Sequence, residues 1–315
     1  MKENLLEQTN LTIVDVGAAG GMHDRWSHLK TSINSILFEP DPEEFKKLNL
    51  DQNNTSLVIN SALSDQNKEV RFHVCKWQEV SSIYKPNLKV LSKYQDVDRF
   101  TVSKVITLQA DSLNNLLEKY RITEVDFMKI DTQGSELEIL QGASNFLDGI
   151  IGLEVEVEFI KIYQDQPLFP EVDRFIKSHG FSLIDMKRTF WKRKNADDGS
   201  NKGQLVYADS LYFKEPEQVM KSANLSKEKI IKSINLYLVY GYVDLAISLL
   251  ELARLDNVVS KDLNNTLLSL IKDNRQKKIM KDFKGKERIK NFFLFFANVF
   301  STSNFSSGTD RTLGN

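Results

Sequence analysis

The sequence predicts an α/β chain with a mostly parallel, doubly wound sheet, and three observations carry that expectation. Leu11-Thr12-Ile13-Val14 is an apolar run of buried-strand type that opens directly onto Asp15-Val16-Gly17-Ala18-Ala19-Gly20-Gly21. A second apolar run, Ile33 to Phe38, ends on Glu39-Pro40-Asp41. Beyond them, apolar runs and helical patterns alternate as far as residue 213, which implies strands joined by helices that cover both faces of a sheet. Small residues after the first strand let backbone approach a ligand closely, and an acid after the second can accept hydrogen bonds from ribose hydroxyls. The layout is that of a Rossmann-like, nucleoside-binding half.

Taken in order, strands are expected near 11–16, 33–38, 56–60, 69–74, 103–108, 125–130, 150–158, 181–187 and 204–213. Helical patterns fit 41–49, 111–120, 135–147 and 169–179. Asp111-Ser112 offers an N-cap ahead of Leu113, Leu116 and Leu117, and Gly180 follows His179 as a C-cap. The last two strands flank a polar tract, Lys192 to Gly203, without helical pattern, so they read as an antiparallel hairpin. Past Phe213 the texture changes: Glu215-Pro216-Glu217 is a break, and helices fit 227–240, 243–255 and 261–271. Three segments follow: residues 1–214 as a cofactor-binding domain, 215–282 as a helical appendage packed on it or on a second subunit of a homo-oligomer, and 283–315 as a basic and aromatic stretch running into a disordered tail.

The glycine pattern bears on the cofactor. A dinucleotide fingerprint wants G-x-G-x-x-G, whereas here the glycines are Gly17, Gly20 and Gly21, with Asp15 two positions ahead. An acid there would repel a pyrophosphate and suits a cofactor with no phosphate and a cationic amino group, such as S-adenosylmethionine. A second block, Val125-Asp126-Phe127-Met128-Lys129-Ile130-Asp131-Thr132-Gln133-Gly134-Ser135-Glu136, runs from strand to turn to helix.

That block, with Asp15 to Gly21, Phe38-Glu39-Pro40 and Asn60-Ser61-Ala62-Leu63-Ser64-Asp65, resembles the FkbM family of S-adenosylmethionine-dependent methyltransferases over residues 11 to 213. The K-I-D-x-x-G-x-E string is its most diagnostic piece, and the glycine loop departs from the family at its middle, Ala19, where relatives often carry Asn. The resemblance implies a class I methyltransferase sheet with an antiparallel last strand. It implies that Asp15, Gly17, Ala18, Ala19 and Gly21 line the methionine end of the cofactor, Glu39 and Pro40 its ribose, and Ala62 and Leu63 its adenine. It also implies a hydroxyl acceptor on a glycan, glycolipid precursor or secondary metabolite in polysaccharide biosynthesis.

The chemistry asked of the residues is alignment and removal of one proton. Asp131, closing a long strand opposite the glycine loop, is the first candidate base. Glu154, Glu156 and Glu158 alternate with Leu153, Val155 and Val157 and so share one strand face; three stacked acids need a cation, a base partner or solvent, which makes Glu154 and Glu156 catalytic candidates. Glu136 either binds substrate, orients Asp131 or caps the turn. The long insertion from Trp77 to Arg99 contains Ser81-Ser82-Ile83-Tyr84, and Ser82 and Tyr84 are its candidates for acceptor recognition. No metal site is expected. A nucleotide-dependent oxidoreductase and a non-catalytic module of a carbohydrate-assembly complex are the other readings.

Composition fits such an enzyme: 41% hydrophobic residues allow a sizeable core, and a net charge of −1 gives no footprint for nucleic acid. The single cysteine, Cys75, excludes an intramolecular disulfide and a Cys-based metal site. Met1 to Asn10 lacks the build of a signal peptide, and no stretch reaches the roughly eighteen apolar residues of a membrane span, so a cytoplasmic location is expected. Arg275 to Lys290 carries eight basic and two acidic side chains just before Phe292-Phe293-Leu294-Phe295-Phe296, a pattern that can also hold a chain at an anionic inner-membrane surface.

Overall fold

The computed structural model describes residues 9–18, 20–23, 25–26, 33–50, 56–195, 203–273, 292 and 306–309. Its main sheet is built from β1 (Leu11–Val16), β2 (Ile33–Phe38), β3 (Ser56–Ile59), β7 (Phe127–Ile130), β8 (Gly152–Glu158), β9 (Ser182–Trp191), β10 (Gln204–Phe213) and β11 (Ser306–Thr309). Their order is β11-β9-β10-β8-β7-β1-β2-β3. The pairings β3·β2, β2·β1, β1·β7 and β7·β8 are parallel, and β10 runs antiparallel to both β8 and β9. This is the class I methyltransferase sheet. The central strands are apolar on both sides because helices cover both faces; all seven residues of β8 are buried, its glutamates included.

A second, three-stranded sheet holds β4 (Ala62–Ser64), β5 (Lys68–Cys75) and β6 (Val102–Ser112) in the order β4-β6-β5. Two of these strands fall where the sequence places them, but they leave the main sheet. β6 alternates exposed and half-buried positions along most of its length, as an outlying strand does. The chain between them carries the short helix α2 (Leu88–Leu91) and packs Val80, Leu91, Tyr94 and Phe100 with Ile162, Tyr163 and Trp191 in a small core of its own.

On one face of the main sheet Val14, Val16, Met128, Ile130, Leu153, Val155 and Val157 pack under α3 (Leu113–Lys119), α4 (Glu136–Gln141), α5 (Ser144–Leu147) and α6 (Phe169–Ser178). Ser112 caps α3, its Oγ accepting from Asn115 N at 3.2 Å. α1 (Pro42–Leu50) begins at Asp41, whose Oδ1 accepts from Glu43 N at 2.8 Å. The other face is covered from the C-terminal half. After α7 (Pro216–Met220), helices α8 (Lys227–Val239), α9 (Val243–Leu255) and α10 (Lys261–Asp273) bring Ile230, Ile234, Tyr237, Tyr240, Leu249 and Leu267 into one cluster with Leu11, Ile13, Phe127, Leu211 and Phe213.

Residues 215 to 273 therefore complete the sheet's own core. α8 is buried almost all round, and its Lys232 reaches Asp126, just ahead of β7, at 3.1 Å with both side chains under a tenth exposed. Ser306–Thr309, expected within a disordered tail, pairs antiparallel with β9 as β11, where the outer edge of β9 offers unpaired backbone groups. The basic and aromatic stretch lies, apart from Phe292, outside the described residues.

Candidate active site

A cleft of about 540 Å³ opens beyond the carboxyl ends of the parallel strands, where a doubly wound sheet binds ligands. Gly17 is on its wall. Gly17, Gly20 and Gly21 all take positive φ, at +80°, +84° and +82°. At Gly17 the need is absolute: a Cβ there would fall on the carbonyl oxygen of Asp131, far inside the 3.0 Å that real Cβ contacts respect. The backbone N–H groups of Gly17 and Ala18 donate to Phe38 O at 3.1 and 3.3 Å, which ties the loop to the end of β2.

At that strand end Glu39 and Pro40 line the cleft, joined by Ala62 and Leu63 of β4. Glu39 is 5% exposed, and its Oε1 accepts from Asp41 N at 2.8 Å. Burial pushes its carboxyl up to about 7. Asp15 is not on the cleft wall. It is buried on β1, and its Oδ1 lies 3.4 Å from Lys129 Nζ, which also stands 3.8 Å from Asp131 Oδ2. Lys129 lines the cleft, and the two acids hold its ammonium well above the ordinary lysine range. The acid two positions before the first glycine thus acts on the site through a lysine on the neighbouring strand. Ala18 packs with Leu37 and Val58 behind the loop, Gly21 donates to Ala18 O at 2.8 Å away from the cleft wall, and Ala19 lies outside the described residues.

Asp131, one residue past β7, faces the cleft with about a third of its side chain exposed. Gln133 follows at φ +60°, a conformation costly for a residue with a Cβ and one that recurs at functional turns. That twist aims its amide inward: Nε2 donates to Asp131 Oδ1 at 3.1 Å and to Glu156 Oε1 at 2.7 Å. Its Oε1 lies 3.0 Å from the hydroxyl of buried Tyr163, and its backbone oxygen accepts from Ser82 Oγ at 2.7 Å. Glu156 lines the cleft at the end of β8, and burial together with the charge of Asp131 pushes its carboxyl well above the ordinary range.

The other predicted residues stand back. Glu154 is on the same strand face but one step deeper, where it accepts from the hydroxyl of Tyr240, just after α8, at 2.6 Å and meets Arg25 at 3.4 Å. Glu136 is 1% exposed, and its Oε1 accepts from Thr132 N, Thr132 Oγ1 and Gly134 N at 2.9 to 3.1 Å. It clamps the turn that carries Asp131 and Gln133 and does not line the cleft. Ser82 braces Gln133 in the β7–α4 turn and Tyr84 donates to Glu138 of α4 at 2.6 Å, so both fasten the insertion there and neither lines the cleft. From the insertion the cleft is lined by Trp77 to Ser81, Ile83 and Arg99 instead, and Phe100, Trp191 and Tyr207 complete that wall. The sequence reading missed Lys129, Gln133, Arg99, Trp191 and Tyr207. For Lys129 and Gln133 the signal was present, since both sit inside the K-I-D-x-x-G-x-E string. Trp191 and Tyr207 read only as strand residues.

The Methyltransferase FkbM domain matches residues 15–183, more than half of the chain, and spans every element just described from Asp15 to Tyr163. The chain belongs to the FkbM methyltransferase family. A 2-O-methyltransferase of Sinorhizobium fredii, NoeI, is 25% identical to it over 173 residues, 52% of this chain and 70% of the relative. Two solved structures share 12% identity with it: a precorrin-6y C5,15-methyltransferase from Geobacter metallireducens, at a TM-score of 0.36 over 68% of this chain and 84% of that one, and TrmK of M. capricolum with S-adenosyl-homocysteine, at 0.29 over 87% and 97%.

S-adenosylmethionine is the cofactor, and the residues present fit it. The glycine loop offers bare backbone with no room for a side chain at Gly17, and the next strand end offers a buried carboxylate with one oxygen already committed to Asp41. Gly17, Glu39, Pro40, Ala62 and Leu63 would hold the nucleoside and its amino-acid arm. The loop lacks the G-x-G-x-x-G spacing that seats a pyrophosphate.

Proposed function

We propose that this FkbM methyltransferase transfers a methyl group to a saccharide hydroxyl, with Asp131 as the base. The carrying observation is the amide of Gln133, which holds Asp131 and Glu156 together on the cleft wall at 3.1 and 2.7 Å. S-adenosylmethionine, when bound, supplies a methyl carbon already activated by its sulfonium. The protein's task is then to orient an acceptor oxygen and take its proton. Asp131 accepts that proton as the oxygen becomes bonded to carbon, a contribution of about 10²–10⁴-fold for a positioned base. Glu156, whose carboxyl burial and the charge of Asp131 push well above the ordinary range, shares the same amide, and Gln133 fixes the orientation of Asp131. Proximity supplies much of the remainder.

Support for a saccharide comes from the wall opposite the cofactor end. Trp77, Phe100, Trp191 and Tyr207 line it, and aromatic faces suit the apolar face of a pyranose. The 2-O-methyltransferase among the relatives supports an oxygen as the acceptor atom. Among the described residues no group of three His, Cys, Asp or Glu is placed to hold a metal ion, and no helix is long and apolar enough to cross a membrane. The test is a mass-spectrometric screen of free sugars and oligosaccharides for a gain of one methyl group with S-adenosylmethionine. Methylation confined to carboxyl or amine acceptors would overturn the hydroxyl reading.

A further inference from the structure

Glu39 is a cleft carboxyl that takes no part in the proton transfer described above, and its surroundings disfavour its charge. It stands on the cleft wall at the end of β2, 5% exposed. Its backbone is pinned on both sides: the N–H donates to Ile59 O at 3.1 Å, and the carbonyl accepts from Asn60 Nδ2 at 2.8 Å. Oε1 accepts from Asp41 N at 2.8 Å, and among the described residues no donor reaches Oε2.

The charged groups that bear on it are acids. Asp15 is buried on β1, Asp41 caps α1 through Glu43 N at 2.8 Å and Glu44 N at 3.2 Å, and Glu44 of α1 is paired with Lys47. Asn60 and Ser61, ahead of β4, do not titrate, and Lys129 on β7 is tied to Asp15 and Asp131. Burial opposes the ionisation of Glu39 most, the Asp41 N–H offsets part of that, and the charges of Asp41, Glu44 and Asp15 add to it. Left to these groups alone, Glu39 keeps its proton up to about pH 7.

A ribose reverses the balance. Its two hydroxyls are donors, and Oε2 is the oxygen left to accept from them. Hydrogen bonds to an ionised acceptor are roughly twice as strong as neutral ones, and donors brought to a carboxylate favour its charged form. A protonated Oε2 would instead meet the hydroxyls with a hydrogen of its own. We infer that seating the cofactor's ribose expels a proton from Glu39 to solvent, so that the chain's hold on S-adenosylmethionine weakens as the pH falls. This linkage rests on the methyl-transfer reading and its cofactor seat. Stability and affinity then respond to pH in opposite senses: charging Glu39 costs the fold stability, yet the charged form is the one that binds.

The experiment titrates S-adenosylhomocysteine, which carries the same ribose, into the full chain by calorimetry at pH 6, 7 and 8. Each pH is run in two buffers of different ionisation enthalpy, so that released protons are counted. With Glu39 titrating at about 7, affinity is expected to be about tenfold weaker at pH 6 than at pH 8, with about 0.9 proton released at pH 6 and about 0.1 at pH 8. Glu39→Gln has no proton to give, and is expected to release none and to bind equally across this range. Where that variant binds too weakly to titrate, the proton count and pH profile of the unaltered chain decide. An affinity constant within about twofold from pH 6 to pH 8, a release below about 0.3 proton at pH 6, or a release that persists in Glu39→Gln would overturn the inference. Failure of S-adenosylhomocysteine to bind at any of the three pH values would instead overturn the methyl-transfer reading, so the two failures are distinguishable.

Discussion

Replacing Gly17 by alanine separates two costs that usually travel together. Gly17 and Gly20 have nearly the same φ, +80° and +84°, so an alanine at either pays the same left-handed penalty of about 1–2 kcal/mol. Their surroundings differ completely. A Cβ at Gly20 meets nothing within 4 Å, whereas one at Gly17 falls on the Asp131 carbonyl oxygen. That oxygen cannot yield cheaply, because the Asp131 N–H donates to Val16 O at 3.0 Å and so pins the ends of β1 and β7 together. Overpacking against fixed backbone adds about 1–3 kcal/mol. Gly20→Ala is therefore expected to cost about 1–2 kcal/mol and Gly17→Ala about 2–5 kcal/mol in urea unfolding. Because the displaced carbonyl belongs to the candidate base, Gly17→Ala is also expected to weaken S-adenosylhomocysteine binding at least tenfold in a calorimetric titration, with Gly20→Ala within about threefold. If the two variants unfold within about 0.5 kcal/mol of each other, the close approach at Gly17 does not constrain the site and the reasoning fails.

Asp131→Asn keeps the shape of the site and removes the base; methyl transfer should fall by about 10²–10⁴-fold while S-adenosylhomocysteine affinity stays within about threefold, and a fall of less than tenfold would remove Asp131 from the role. Glu39→Gln tests the buried carboxyl at the ribose end. Below about pH 4.5 both the folded and the unfolded chain carry the Glu39 proton, and from there up to about 7 the folded chain alone holds it, so this group lowers stability as pH rises and its effect levels off above 7. The variant should therefore gain about 1–3 kcal/mol at pH 8 and nothing at pH 4, while losing cofactor affinity; equal stability of the two proteins at pH 8 would contradict the burial argument. Lys232→Met strands Asp126, 2% exposed, with Thr12 N at 2.9 Å as its hydrogen-bond donor, and should cost about 3–5 kcal/mol, largely recovered in the double variant with Asp126→Asn. A single-variant cost below about 1 kcal/mol would mean that α8 is not integral to the sheet's core.

Much of the fold was legible in the chain. The strands from Leu11–Val16 to Gln204–Phe213 stand within a few residues of their expected places because strands buried on both faces must be apolar throughout, and helices with one buried face show their period. The glycine loop and the acid of the following strand were legible for a different reason: a backbone that must take positive φ against another backbone admits glycine alone, and so leaves its mark in the sequence. Pattern could not say which strands pair. β5 and β6 left the main sheet for one of their own with the three-residue β4, too short to register as a strand.

The division of labour among the glutamates was decided by tertiary structure alone. Alternation along β8 placed Glu154, Glu156 and Glu158 on one face, yet the partners that distinguish them come from distant parts of the chain: Tyr240, at the end of α8, takes Glu154, and Gln133 takes Glu156 on the cleft wall. The same holds for the aromatic wall and for the C-terminal helices. Trp191 and Tyr207 meet Arg99 and Phe100 only because the antiparallel β10 slots between β8 and β9. Helices that read as an appendage supply half the sheet's cover, since an apolar helix face states that it must be buried and not against what. Local chemistry, periodicity and backbone constraint are written in the order of residues; contacts between residues a hundred positions apart are set by how the sheet is threaded, and threading leaves no local trace.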